Sequence, residues 1–144
     1  MQDVITREIT LKAPKERVYS AITDPEQITA WFPDKVEGTL EVGQKPTFHF
    51  GEYKTQLYIE AAKPHDYFAY RWVPGGGGMV EDILQAPNTL VEFFIEEQEN
   101  GTKVTLKESG FAALPADIAK ASFSDNSNGW DHMMSRLEKV ISEE

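Results

Sequence analysis

The chain has 144 residues, with 24 Asp and Glu against 14 Lys and Arg, a formal net charge of -10 and no cysteine. The acidic balance argues against nucleic acid and anionic membrane, which both call for a basic face. The missing cysteine removes disulfides, cysteine-based zinc sites and thiol nucleophiles. A chain of this length reads as one domain, residues 1–144, able to bury roughly 70% of its unfolded surface without a staple. No apolar run approaches the ~18 residues of a membrane span, and the opening Met-Gln-Asp-Val-Ile-Thr-Arg-Glu carries no apolar signal region. No membrane insertion and a cytoplasmic location are therefore expected.

Ile5, Ile9 and Leu11 share one parity in the first segment and predict a half-buried strand, with Arg7 interrupting its apolar face. Pro14 can open a helix without losing a needed N–H, and Val18, Ala21 and Ile22 supply its apolar stripe. Asp24-Pro25-Glu26-Gln27 is a second helix start, with Asp as N-cap and Pro at the first position. Ile28, Trp31 and Phe32 follow at helical spacing, and Pro33 ends that helix.

The period then changes to two. Val36, Leu40 and Val42 predict one strand; Phe48 and Phe50 the next; Leu57, Ile59 and Ala61 a third, closed by the turn Lys63-Pro64-His65-Asp66. Phe68, Tyr70 and Trp72 form an aromatic face. The run Gly75 to Gly78 reads as a mobile loop within the domain, and Val91, Phe93 and Ile95 resume the alternation after it. Asn100-Gly101 is a hairpin signal, answered by Val104 and Leu106. Regular strands with one polar face predict an antiparallel sheet.

Pro115 opens a helical stretch carrying Ile118 and Phe123. The small polar run Ser124 to Gly129 is expected to kink or interrupt it, with Gly129 serving close packing at a helical cost of about 1 kcal/mol. Trp130, Met133, Met134, Leu137 and Val140 or Ile141 then form an amphipathic stripe. Burying that stripe on the apolar sheet face gives a two-layer α+β arrangement.

Chemical motifs are sparse. His49, His65 and His132 share no ligand spacing and all three read as surface residues, so no metal is expected. The glycine run lacks the Lys-Ser/Thr of a phosphate loop, and no Gly-x-Ser-x-Gly elbow is present. Glu108 continues the parity of Val104 and Leu106, which turns a carboxylate towards the apolar side. There it could bind a ligand's polar group or act as an acid; the plainer reading is a strand end that is already wet, or pairing with Arg71 or a backbone donor. The 8 Phe, 5 Tyr and 3 Trp gather on inner faces, where they either fill a core or leave an apolar cavity.

In this order the chain resembles the SRPBCC superfamily of START-like, helix-grip proteins, and within it the group related to the C-terminal domain of the activator of heat-shock protein 90 ATPase. The carrying residues are Ala13-Pro14, Thr23-Asp24-Pro25-Glu26, Trp31-Phe32, Tyr70-Arg71-Trp72 and Thr89-Leu90-Val91-Glu92-Phe93. The run from Val104 through Phe111 to Pro115, then Asn128-Gly129-Trp130 and Leu137, completes them. The resemblance implies a curved antiparallel sheet of about six to seven strands wrapped around a long C-terminal helix, with two short helices after the first strand. It also implies a deep hydrophobic cavity for a lipid-, polyketide- or flavonoid-like molecule, with no universal catalytic residue and no cofactor.

The first functional expectation is accordingly a carrier or sensor of a small hydrophobic ligand. Its site would comprise Trp31, Phe32, Phe48, Phe50, Tyr70, Trp72, Phe93, Leu106, Phe111, Trp130, Met133, Met134 and Leu137, with Glu108 as polar anchor near the mouth and Arg71 as a second one, although Arg71 has the parity of the solvent face. The second is a chaperone partner acting through the acidic outer sheet face, where Glu92 and Glu96 lie. The third is a cyclase-type enzyme using Glu108.

Overall fold

The computed structural model describes residues 3–74, 80 and 82–142. The glycine run Gly75 to Gly78, read as a mobile loop, lies outside the described residues. Strand β1 is Val4–Leu11, followed by helices α1, Lys15–Thr23, and α2, Pro25–Ile28. Strands β2 (Lys35–Glu37), β3 (Thr47–Phe50), β4 (Tyr53–Lys63), β5 (Tyr67–Trp72), β6 (Thr89–Gln98) and β7 (Gly101–Ser109) come next. A short 3-10 turn at Phe111–Ala113 leads into α3, Ala116–Ser142. The fold is the helix grip: one curved antiparallel sheet, in the order β1-β7-β6-β5-β4-β3-β2, against a long C-terminal helix.

The start of α2 has a local cause. Asp24 caps α2 by accepting from the Glu26 backbone N–H at 2.9 Å, and its other oxygen accepts from the Gln27 amide at 3.1 Å. The Trp31 indole donates to the Ala21 carbonyl at 2.8 Å, tying the turn after α2 to α1. These two helices carry the chain from β1 at one sheet edge to β2 at the other.

Three expected elements are corrected. The second helix ends at Ile28, so Trp31 and Phe32 enter the core from the turn after it rather than from a helix that runs to Pro33. The strand through Val36, Leu40 and Val42 is only Lys35–Glu37, because Gly38 takes a positive φ of 102° and ends it. Leu40 still enters the core from the loop, whereas Val42 is 54% exposed. The Ser124–Gly129 run neither kinks nor interrupts α3, which is one helix of 27 residues. Its polar side chains have partners outside the helix: Asn126 reaches Glu108, and Ser127 receives Arg7 on both its hydroxyl (2.7 Å) and its carbonyl (3.2 Å). Arg7 also bonds Asp131 at 2.6 Å, so the residue that broke the apolar face of β1 clamps α3 to it.

The Asn100-Gly101 hairpin forms with Gln98 opposite Gly101. Gly101 is required by its neighbour: a Cβ there would overlap the Leu11 carbonyl oxygen. Gly101→Ala should therefore destabilise the protein by about 1–3 kcal/mol, the usual cost of overpacking, read as a lowered urea midpoint.

Candidate functional site

The inner sheet face places Trp72, Thr89 and Glu108 on three adjacent strands. Trp72 lies directly opposite Thr89, and Glu108 lies opposite Val91, the next inward residue after Thr89. Glu108 is 0% exposed. Its Oε1 accepts from the Trp130 indole at 2.8 Å and from the Asn126 amide at 2.9 Å. Its Oε2 accepts from the Trp72 indole at 2.8 Å, the Thr89 hydroxyl at 2.6 Å and Asn126 at 2.9 Å. Asn126 and Trp130 are i, i+4 on α3, so a single helical face brings both donors to one carboxylate.

Arg71 is not part of this group. It sits on the outer face, donating to Glu60 at 2.6 Å and to Asn88 at 3.2 Å. The expected Arg71 anchor, and the Arg71 to Glu108 pairing, are both overturned by the strand parity that puts the two side chains on opposite faces.

A pocket of about 120 Å³ opens beside this cluster, lined by Phe32, Phe50, Trp72, Asp125, Asn126, Gly129, Trp130 and Met133. Trp72 and Trp130 lie with centroids 5.8 Å apart and planes tilted by 31°, and Phe32 packs edgewise on Trp72 at 5.8 Å. Asp125 at the rim is exposed. Larger surface depressions exist, including one of about 470 Å³ between the start of α1 and the β6–β7 hairpin and one of about 440 Å³ near Asp82. Neither of these holds an aromatic side chain; a third, of about 470 Å³, is lined by Tyr19, Leu40, Val42 and Ala62 among others and lies apart from the Glu108 cluster.

Of the side chains expected to line a cavity, the structure brings Phe32, Phe50, Trp72, Trp130 and Met133 to this pocket. Trp31, Phe48, Tyr70, Phe93, Leu106, Phe111, Met134 and Leu137 lie in the packed interior instead. Trp31 stacks on Phe32 at 5.1 Å, and Tyr70 meets Phe48 at 6.3 Å and Trp72 at 5.3 Å. The deep cavity is thus largely filled by rings. Glu108 lies behind Trp72, Trp130 and Asn126, with no surface to offer a reactant. Sequence reasoning missed Asp125, Asn126, Gly129 and Thr89. Asn126 precedes Trp130 by four residues, and Thr89 shares the parity of Val91 and Phe93, so both were within reach of the periodicity argument.

Gly129 does not serve close packing. A Cβ added there meets nothing within 4 Å, and the empty space belongs to the pocket. The histidines are scattered. His49 takes the face opposite Phe48, where it is half-buried and bonded to the exposed Glu37 at 2.6 Å; His65 packs edgewise on Tyr19; His132 is exposed. That hydrogen bond holds the Glu37 carboxyl below the usual carboxylate range. Among the described residues, no group of three or more His, Asp or Glu is placed to hold a metal ion.

Tyr70 supplies the remaining buried polar atom near the cluster. Its hydroxyl has no hydrogen-bond partner among the described residues. Burial first, and then the charge of Glu108, hold its proton well above the ordinary tyrosine range.

Residues 12–142 match the family described as Activator of Hsp90 ATPase homolog 1-like protein. The chain belongs to that family. Nothing among curated proteins matches it. Among solved structures it is similar to MLL2253 from Mesorhizobium loti, at 19% identity and TM-score 0.79, covering 97% of each chain. It is similar to the Aha1 dimer from Colwellia psychrerythraea, at 20% identity and TM-score 0.77, covering 97% of this chain and 96% of that one. It also resembles DynU16, from the dynemicin biosynthetic locus, at 19% identity and TM-score 0.78. The match covers 99% of this chain but only 48% of DynU16, so this family member spans about half of that protein. At such identities these likenesses establish the helix-grip fold. Among the described residues, no helix of this family member is long and apolar enough to cross a membrane.

Two outcomes follow for the cluster. Glu108→Ala should lower stability by about 3 kcal/mol or more, because each buried donor left without an acceptor costs about 1–3 kcal/mol; equilibrium urea unfolding measures it. Tyr70→Phe, which removes a hydroxyl without a partner, should be neutral or stabilising at pH 7. A raised folded-state pKa means stability is fully present below the unfolded tyrosine pKa of about 10 and declines as pH rises beyond it. Tyr70→Phe should flatten that alkaline decline, as followed by thermal melts from pH 8 to about pH 11.

Proposed function

We propose that the protein binds a small hydrophobic ligand in the pocket between α3 and the inner sheet face. The observation that carries this reading is Gly129. Glycine within a helix costs about 1 kcal/mol relative to alanine, and nothing in the surroundings demands it sterically. The residue keeps space open beside Phe32, Phe50, Trp72, Trp130 and Met133. A destabilising choice that preserves an apolar hollow is what a binding site would require.

The pocket's size limits the ligand. About 120 Å³ is of the order of the ~150 Å³ cavity that admits a benzene molecule. A single ring or a branched alkyl head fits, whereas a fused polycyclic skeleton would need Phe50 or Met133 to swing outward. The family fold and the similarity to DynU16 support a ligand-binding role in general terms. Glu108 acts here as a positioning residue, since it holds both indoles and Asn126 at the wall and does not itself line the pocket.

The test is a titration with toluene-sized apolar molecules, read by tryptophan fluorescence, because two of the three tryptophans line the pocket. A saturable change is expected for the wild type. Gly129→Ala should raise the urea-derived stability by about 1 kcal/mol and weaken binding, and Gly129→Leu should abolish the saturable change while the fold persists. Binding that survives unaltered in Gly129→Leu would place the ligand elsewhere.

A further inference from the structure

Glu108 is a buried anion whose partners are all neutral. Indole and amide N–H groups donate to both of its oxygens, and the Thr89 hydroxyl lies 2.6 Å from Oε2, a donor set matched to a carboxylate. Among the described residues, none of its recorded partners is a Lys, Arg or His, and no ion pair involves it. Buried charges are ordinarily compensated by an opposite charge or a metal. Its partners are neutral donors, and two of them, Trp72 and Trp130, also line the pocket.

The rest of the pocket has the same electrical sense. Four of its lining residues, Phe32, Phe50, Trp72 and Trp130, are aromatic, and an aromatic ring attracts a cation within about 6 Å of its centroid. Each indole donates its N–H to a carboxylate, and hydrogen bonds in a low-dielectric interior polarise their members, which makes the ring faces more negative. The rim carries the exposed Asp125 carboxylate, and among the described residues no Lys, Arg or His lines the space. The chain's net charge of -10 adds a long-range field of that sign.

Resting on the reading of this pocket as the ligand site, we infer that its ligand class is a small hydrophobic cation: an organic ammonium whose alkylated head sits against Trp72 and Trp130. A trimethylammonium group combines the two requirements, since it is apolar on its surface and carries a diffuse positive charge. The missing counter-charge of Glu108 is then supplied by the ligand, through the indoles.

The experiment compares choline with dimethylbutanol, its neutral carbon isostere, by isothermal titration calorimetry on the whole protein. Choline should bind about tenfold more tightly than the isostere. That preference should vanish in Glu108→Gln, which keeps the side chain's shape and removes its charge. It should fall about twofold in Asp125→Asn, an exposed position where folding is not at stake. Equal affinities in the wild type, or tighter binding of dimethylbutanol, overturn the charge assignment and leave the pocket standing as a ligand site. No binding of choline, dimethylbutanol or toluene overturns the charge assignment and the ligand-binding reading together. The wild-type comparison decides even if Glu108→Gln fails to fold, because neither probe depends on that variant.

Discussion

One buried carboxylate joins the two layers of this protein. Glu108 on β7 receives donors from β5, β6 and α3, so the sheet and the long helix meet at a single anion. Charge-assisted hydrogen bonds are about twice as strong as neutral ones, and the interior's low dielectric strengthens them further. The same low dielectric makes each member depend on the others, because a donor or acceptor left alone there has no water to turn to. The cluster also fixes the rotation of α3. With Asn126 and Trp130 held to Glu108, Gly129 and Met133 must face the same hollow, and Asp125 must stand at its rim.

Arg7 fixes the helix from the other side. It bonds Ser127 and Asp131 on the turn of α3 adjacent to the Glu108 donors. A polar stretch in the middle of a helix would ordinarily weaken it, yet here its side chains are the ones that bind the helix to the sheet. Between these clamps the aromatic rings pack into one another, with Phe32 in contact with Trp31, Phe48, Phe50, Trp72 and Trp130. Such interdigitation fills most of the space that a helix grip could leave open. What remains is a hollow of ring size where α3 has no side chain at Gly129.

That hollow unites the structural and functional accounts. The family fold offers an arrangement in which a helix covers the mouth of a curved sheet, and fold alone does not choose a ligand. In the reading proposed above, that choice would fall to the side chains at the opening: four aromatic residues, the Asp125 carboxylate at the rim, and Glu108 behind Trp72 and Trp130. The outer sheet face, in contrast, is internally paired along much of its length, with Arg71 on Glu60 and Tyr67 on Glu92 at 2.6 Å each.

Much of the architecture was legible before any coordinates. Strand alternation, the Asp24 cap, the Asn100-Gly101 hairpin and the stripe from Trp130 to Ile141 are local patterns, and the chain has little freedom to contradict them. The inward direction of Glu108 followed from the same alternation. What could not be read was its company, since Trp72 and Asn126 lie 36 and 18 residues away along the chain. Parity tells which face a side chain takes but not which distant side chain it will meet there. The polar run before Trp130 was misread for that reason: in isolation it is a weak helical segment, and its stabilising partners belong to β1 and β7. Local patterns in the chain sufficed for the element order, for the facing of most strand residues and for the aromatic interior. Only the tertiary structure decided how far those rings close on one another, because filling is a matter of three-dimensional fit among residues from every part of the chain.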